Sequence, residues 1–327
     1  MKINYGSGNK ESMGLKNMDI LDEKIVETLL SQGYKNAAAL STQLGIGERT
    51  IRRRLNSLLN TQTIKVIIHT NPILLGYKCW ARIGLNIEPG FSREVSDYLS
   101  QYKQVYFIGE SVGTFDMILA VRFKDDNELS NFVNIELPKL QGIRGKEVFY
   151  LIWPAKYYNF QWPIRRDDHN SSGKTSENSG GNGYFELDEV DKQILEILTE
   201  NALNKPPEMS ARLDVSEGKI RKHLKKMSDH GLFKMDVLYT PGRDVSATIG
   251  IALHRCSVSN VMEYIVTQFP RVLMATFCIG RFNIILTASF RDNDALNEFV
   301  NVNLKSIKGV TSIETFIHTK RIKYHVS

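Results

Sequence analysis

Two short stretches carry residues able to do chemistry at regular spacing. "IGERTIRRRLNSLL" (46–59) and "SEGKIRKHLKKMS" (216–228) each place apolar residues at helical intervals among arginines and lysines. With Ile51, Leu55 and Leu58 taken as the inward stripe of a helix, Arg49, Arg53 and Asn56 point away and Thr50 and Arg52 take the shoulders. Arg54 falls at the core boundary, where an internal ion pair suits it. In the second stretch Ile220, Leu224 and Met227 face inward, Lys222 and Lys225 outward, and Lys219, Arg221 and Lys226 flank them. Ser216 is a good N-cap for that helix, and Gly47 is a poorer one for the first. Such a face fits duplex DNA. Arginine forks reach guanine edges, and lysine meets phosphate as a point charge. A solvated basic face is the plainer reading of either helix alone. Its recurrence in the same setting favours the DNA reader, with Arg49 and Arg53 on base edges and Lys222 and Lys225 on phosphates.

A second pair of stretches repeats just as closely. "GTFDMILAVRF" begins at Gly113 and "GRFNIILTASF" at Gly280. A glycine-bearing turn offers backbone N–H groups to a carboxylate, and an aspartate can hold an ammonium group. Alternatively, the aspartate satisfies its own backbone in a β-turn. Asp116 becomes Asn283 in the second copy and Arg281 joins the turn, which predicts a second site that is degenerate for amino acids or takes a more anionic ligand.

The elements positioning these residues recur in order. "DEKIVETLL" at Asp22 answers "DKQILEILT" at Asp191, and "FKDDNELSNFVNIELPKLQGI" at Phe123 answers "FRDNDALNEFVNVNLKSIKGV" at Phe290. So long a period means two copies of a domain pair, not a solenoid. Each half reads as three helices, with Ile25, Leu29 and Leu30 as the first stripe and a turn at Gly45, then a β-branched candidate wing ("TIKVIIHT" in the first). A βαββαβ segment follows. The fold class is α+β: two copies of a winged helix-turn-helix domain, each followed by a ferredoxin-like βαββαβ domain. The expected boundaries are a disordered lead-in (1–17), winged helix-turn-helix 1 (18–71), βαββαβ effector and dimerisation domain 1 (72–159), a flexible Ser/Gly/Asn-rich linker (160–185), winged helix-turn-helix 2 (186–241) and βαββαβ domain 2 (242–327).

Composition narrows the classes. A formal charge of +6 and pI near 9.0 suit an anionic partner, although where the charge sits matters more than its sum. No apolar run approaches the ~20 residues that span a bilayer, so no membrane is expected. Three cysteines with no close pair (Cys79, Cys256, Cys278) argue for a reducing, cytoplasmic interior. The seven histidines show no metal-ligand spacing, and His223 and His230 read as structural or solvated, without acidic partners in sequence. Neither a metal nor a cofactor is expected, and the chain is read as a non-enzyme.

Together, "LDEKIVETLL", "IGERTIRRRL", the hinge "NPILLGY" and "GTFDMILAV" resemble the Lrp/AsnC family of transcription regulators over nearly all of both halves. The resemblance implies a RAM-type βαββαβ domain that binds an amino acid or related effector near the Gly-x-x-Asp turn. Carried over, the effector residues are Ser111, Gly113, Thr114 and Asp116, with Gly280, Arg281 and Asn283 as the second copy. The DNA-binding set is Arg49, Thr50, Arg52, Arg53 and Asn56, with Ser216, Lys219, Arg221, Lys222 and Lys225. The family pairs these domains between chains, so one chain is expected to form an intrachain pseudo-dimer on double-stranded DNA. Its two helices then lie about one duplex turn (~34 Å) apart on an asymmetric operator, and higher homo-oligomers are open. Siroheme decarboxylases share this architecture, but their His-Asn-Tyr run and tryptophan-bearing strand are replaced here by "QVYFIGESVGTFDMIL" and "VLMATFCIGRFNIILT". A sensor or oligomerisation module without DNA is the other alternative.

Overall fold

The computed structural model describes residues 18–157, 160–161, 185–239, 245–269 and 271–324. The expected lead-in and most of the expected linker lie outside them. Residues 160–161 do not join a linker: they form a short strand on the end of its neighbour, pairing Lys156 with Gln161 and Tyr157 with Phe160.

The first half runs α1 (Ile20–Gln32), α2 (Ala37–Leu44), α3 (Glu48–Asn60), β1 (Ile64–Thr70), β2 (Cys79–Ile87), α4 (Ser92–Leu99), β3 (Val105–Val112), β4 (Met117–Phe123), α5 (Asp126–Asn131) and β5 (Ile143–Tyr157), with β6 (Phe160–Gln161) after it. The second runs α6 (Glu189–Glu200), α7 (Pro206–Leu213), α8 (Glu217–Asp229), β7 (Phe233–Tyr239), β8 (Val245–Leu253), α9 (Val258–Gln268), β9 (Val272–Ile279), β10 (Ile284–Phe290), α10 (Asn293–Glu298) and β11 (Val310–Tyr324). Local chemistry starts and stops the helices. Asp19 accepts from Leu21 and Asp22 at the start of α1, Asn36 from Ala39 at α2, and Ser216 from Lys219 at α8. The α2–α3 turn passes through Gly45 at φ 67°, and Asp214 takes the same place in the second half at φ 53°. The fifth and tenth helices are shorter than their apolar pattern, because each runs on into a π-helical turn (Phe132–Glu136 and Phe299–Leu304).

The strands pair between the halves. β1, the candidate wing, pairs antiparallel with β7 of the other half from Ile64–Tyr239 to Thr70–Phe233. The two βαββαβ segments are likewise joined. They form one nine-stranded sheet in the order β2-β4-β3-β11-β8-β10-β9-β5-β6, and an additional β2–β5 pairing closes it into a barrel. The cause is the length of β5 and β11. β5 pairs with β2 through Leu151 and then continues along β9, while β11 pairs with β8 and then along β3. Closure removes the free edges that a lone four-stranded sheet would expose.

Burial follows from this geometry. Along β4 every residue is buried, because alternate side chains face the helices or the barrel interior. Met117, Leu119 and Val121 join the helix-covered core of the first half, whereas Ile118 joins an interior cluster with Phe115, Phe149, Phe282 and Phe316. Rings from opposite halves meet there, Phe115 with Phe316 and Phe149 with Phe282, both at 5.3 Å between centroids. Gly84 and Gly250 make room for them: an added Cβ would sit 2.4 Å from the Phe115 ring and 2.5 Å from the Phe282 ring. The helical domains are also interlocked. Val66 and Ile68 of β1 pack in the core of the second, and Val237 of β7 in the core of the first.

Candidate nucleic-acid interface and effector site

On α3, Ile51, Leu55 and Leu58 are buried and Arg49, Arg53 and Asn56 are exposed. Thr50 is half-buried, and Arg52 is held along the helix by Glu48. Arg54 turns inward to Asp19 and Asp22, 3.1 Å from the latter. On α8, Ile220 and Met227 are buried and Leu224 is half-buried. Arg221 pairs with Glu217 and Lys225 with Asp229 at 2.9 Å. Four outward cations therefore have no ion partner among the described residues: Arg49, Arg53, Lys219 and Lys222. Ser216 is committed to the helix cap, which places its hydroxyl at the end of α8 nearest any groove.

Two details of the helical domains depart from the sequence expectations. His223 does have acidic partners: its Nδ1 lies 2.7 Å from Asp191 and 3.7 Å from Asp188. Asp188 caps α6 and Asp191 closes the capping box, so these carboxylates already serve the helix start. Leu30 is not part of the helix core but stands exposed at the edge of a cavity.

At the paired turns, Gly113 (φ 140°) and Gly280 (φ 137°) adopt the same backbone state, one that favours glycine. The Asp116 Oδ2 accepts the Ile87 N–H at 2.7 Å, and the Asn283 Oδ1 accepts the Leu253 N–H at 2.6 Å. Ser111 donates to the Phe115 carbonyl at 2.8 Å, and Asn86 to the Thr114 carbonyl at 2.7 Å. Thr114 reaches Glu314 at 3.3 Å. The two turns thus share one structural role that needs an acceptor and not a charge. Arg281, the cation expected at the second turn, is held by ion pairs. It is pinned by Glu147 at 2.9 Å and by Glu314, and lies over the Phe282 ring. Asp116→Asn should therefore change folding stability by no more than the exposed Arg144 pair at 3.7 Å contributes, ~0–1 kcal/mol. Asp116→Ala strands a backbone donor and should cost about 1–3 kcal/mol. Urea titrations of the two variants separate these outcomes.

No local pattern in the chain points to the third site, a cavity of about 340 Å³ between the β1–β7 pair, α1 and the barrel. Arg82, 4% exposed, reaches into it from β2 and donates to Thr287 at 2.9 Å and to Tyr106 at 3.3 Å. His318 stands beside it, held by Thr248 at 3.0 Å and Ser246 at 3.2 Å. Burial, with Arg82 and Arg321 adding charge repulsion, pushes the His318 pKa down to about 3. The histidine is neutral in the fold, while its unfolded counterpart protonates near pH 6.5. Its contribution to stability is therefore complete above pH 6.5 and is lost progressively as pH falls toward 3, at up to ~1.4 kcal/mol per pH unit. His318→Leu, which copies Leu151 at the equivalent place in the first half, should flatten that slope in denaturation midpoints between pH 7 and pH 5.

The winged helix-turn-helix DNA-binding family matches residues 187–234, and the Lrp/AsnC ligand binding domain matches residues 246–327. An uncharacterized HTH-type transcriptional regulator of Pyrococcus furiosus is 31% identical over 141 residues, 43% of this chain and 95% of the relative. The HTH-type transcriptional regulator FL11 of the same organism is 29% identical over 136 residues, 41% of this chain and 89% of its own. Among solved structures, the siroheme decarboxylase NirDL superposes with a TM-score of 0.59 over 93% of this chain and 92% of its own, at 16% identity, a likeness of fold alone. A full-length relative thus fits inside less than half of this chain. The chain belongs to the Lrp/AsnC family of HTH-type transcriptional regulators.

Proposed function

We propose that this chain is a sequence-specific, effector-modulated transcription regulator that carries two DNA readers, α3 and α8, in one polypeptide. The supporting observation is the set of unpaired outward cations, Arg49 and Arg53 on α3 and Lys219 and Lys222 on α8. The proposed units are residues 18–71 and 186–241 for DNA and 72–159 and 242–327 for pairing and effector binding. They represent a tandem duplication whose halves act as an intrachain pseudo-dimer. Strand exchange through β5 and β11 supports that reading, since each half completes the other's sheet. Because α3 presents arginines where α8 presents lysines, the operator is asymmetric, with base reading concentrated on the α3 side.

We place the protein in the cytoplasm, where its three free cysteines stay reduced; among the described residues no helix is long and apolar enough to cross a membrane. Fluorescence anisotropy on random duplex DNA from 50 to 300 mM salt tests DNA binding. Affinity falling linearly on a log–log plot supports it, and salt-independent or absent binding overturns it.

The fold likeness to a siroheme decarboxylase raises an enzymatic reading. The places that carry that family's histidine and tryptophan marks here read "QVYFIGESVGTFDMIL" and "VLMATFCIGRFNIILT", where "RFNIILT" is a partial echo without the tryptophan, so we read the chain as a non-enzyme. Loss of siroheme absorbance on incubation with the protein would reverse this.

A further inference from the structure

The chain is written twice, yet its two halves do not enclose equal space. Gly84 under Phe115 and Gly250 under Phe282 fix the equivalence of β2 with β8, and the paired turns fix that of the later strands. On that correspondence two cavities lined by barrel strands are counterparts. One is lined by Trp80, Arg122, Leu151 and Pro154 and has about 10 Å³ left; the other has Ser246, Ser289, His318 and Arg321 at the same four places and holds about 340 Å³. In the filled cavity the Arg122 guanidinium lies over the Tyr77 and Tyr106 rings at 4.5 and 5.4 Å, occupying space that Ser289 leaves free. Two large side chains have become serines, and two apolar ones have become a histidine and an arginine. The asymmetry is an opening and a change of polarity in one cavity alone.

The opened cavity contains a buried cation that is paired with no carboxylate. Arg82 forms no ion pair with any described carboxylate, its partners are neutral oxygens and the Met274 sulfur, and its Nε has no hydrogen-bond partner. A guanidinium taken out of water is costly unless an anion meets it. Arg271 and Arg321 add positive charge at the same cavity, against Glu27 and Asp236, the latter held by His69 at 3.4 Å, and Tyr106, Phe107 and Leu273 give it an apolar wall. That combination fits a carboxylate carried on an apolar body.

We propose that this single cavity binds one small organic acid per chain, its carboxylate on Arg82 and its branched or aromatic body against Tyr106, Phe107 and Leu273. The class comprises apolar α-amino acids and their 2-oxo acid counterparts; Glu27 at the cavity offers an acceptor for the ammonium of the former. The inference rests on the reading of an effector-modulated regulator and moves the effector from the paired turns to the barrel's interface with the first DNA reader. Occupancy has a direct route to DNA binding, because Glu27, Leu30 and Ser31 of α1 line the same cavity.

Calorimetric titration of the full chain with phenylalanine, leucine, phenylpyruvate and 4-methyl-2-oxopentanoate tests this. We expect a stoichiometry of one, with the responding pair telling amino acid from oxo acid. Arg82→Gln should weaken binding by roughly tenfold or more. Ser246→Trp, which restores the residue of the filled cavity, should abolish it while thermal unfolding stays cooperative. If Arg82→Gln fails to fold, Ser246→Trp alone decides. Absence of binding by all four compounds, or binding that survives both substitutions, overturns the proposal. Salt-dependent DNA binding measured on the same preparations separates the two readings: retained without carboxylate binding, it removes the cavity proposal and leaves the regulator; lost while carboxylates still bind, it does the reverse.

Discussion

Arg49→Ala with Arg53→Ala will weaken specific operator binding by about 2–6 kcal/mol, since each arginine on a base edge is worth ~1–3 kcal/mol. Both side chains are exposed on the outward face of α3 with no carboxylate to compete for them, so they reach DNA without first breaking an ion pair. The loss should be confined to the half-site under α3, which footprinting will show as relaxed sequence preference there. Lys219→Ala and Lys222→Ala should behave differently. Each removes a phosphate contact, weakens all sequences alike and lowers the salt slope by ~1. Arg52 and Arg221 are tied to Glu48 and Glu217, and their removal should matter less. Arg54→Ala should leave DNA affinity nearly unchanged and lower folding stability instead, because its guanidinium is spent on Asp19 and Asp22. Equal losses on removing Arg49, Arg53, Lys219, Lys222, Arg52 and Arg221 one at a time would mean that the face acts only through its summed charge.

The second large effect is on the fold. Phe316→Ala should destabilise the protein by about 3–5 kcal/mol, the range for truncating a fully buried phenylalanine. Phe316 is 1% exposed and meets Phe115 of the other half at 5.3 Å, with Phe282 at 6.5 Å on its other side. The space left cannot close easily, because Gly84 and Gly250 already bring the strands under the neighbouring rings. Since that ring joins the halves, both should unfold at the lower denaturant midpoint, read by far-ultraviolet dichroism. Truncating the exposed Tyr264 should shift the midpoint by less than ~0.5 kcal/mol. A Phe316→Ala protein with an unchanged midpoint would mean that the barrel interior does not bind the halves together.

The helices and their outward faces were legible because periodicity and capping are local. The stripe Ile51, Leu55, Leu58 and the cap at Ser216 are set by residues within four positions of one another, and the structure orients both recognition helices accordingly. The turn pair was legible as a repeat, and the fold adds what its two side chains share. Asp116 and Asn283 differ in charge on paper, yet both accept one backbone N–H, from Ile87 and Leu253, residues distant in sequence. Arg281 likewise looked free until Glu147 and Glu314 came to it from other strands.

By itself the sequence determined an α+β chain, the order of elements in each half, and two basic helix faces. Those properties follow from patterns repeated over a few residues, and the family comparisons match the helical and sheet segments of the second half. Only the tertiary structure decided that β1 pairs with β7 and that β5 and β11 cross between halves to close a barrel. Strand pairing is long-range: each half's extended segments leave edges that several partners could satisfy, and selection falls to the packing of both halves at once. The open cavity belongs to the same level. Ser246, Ser289, His318 and Arg321 are unremarkable where they stand in the chain, and become a site when the barrel sets them opposite Arg82.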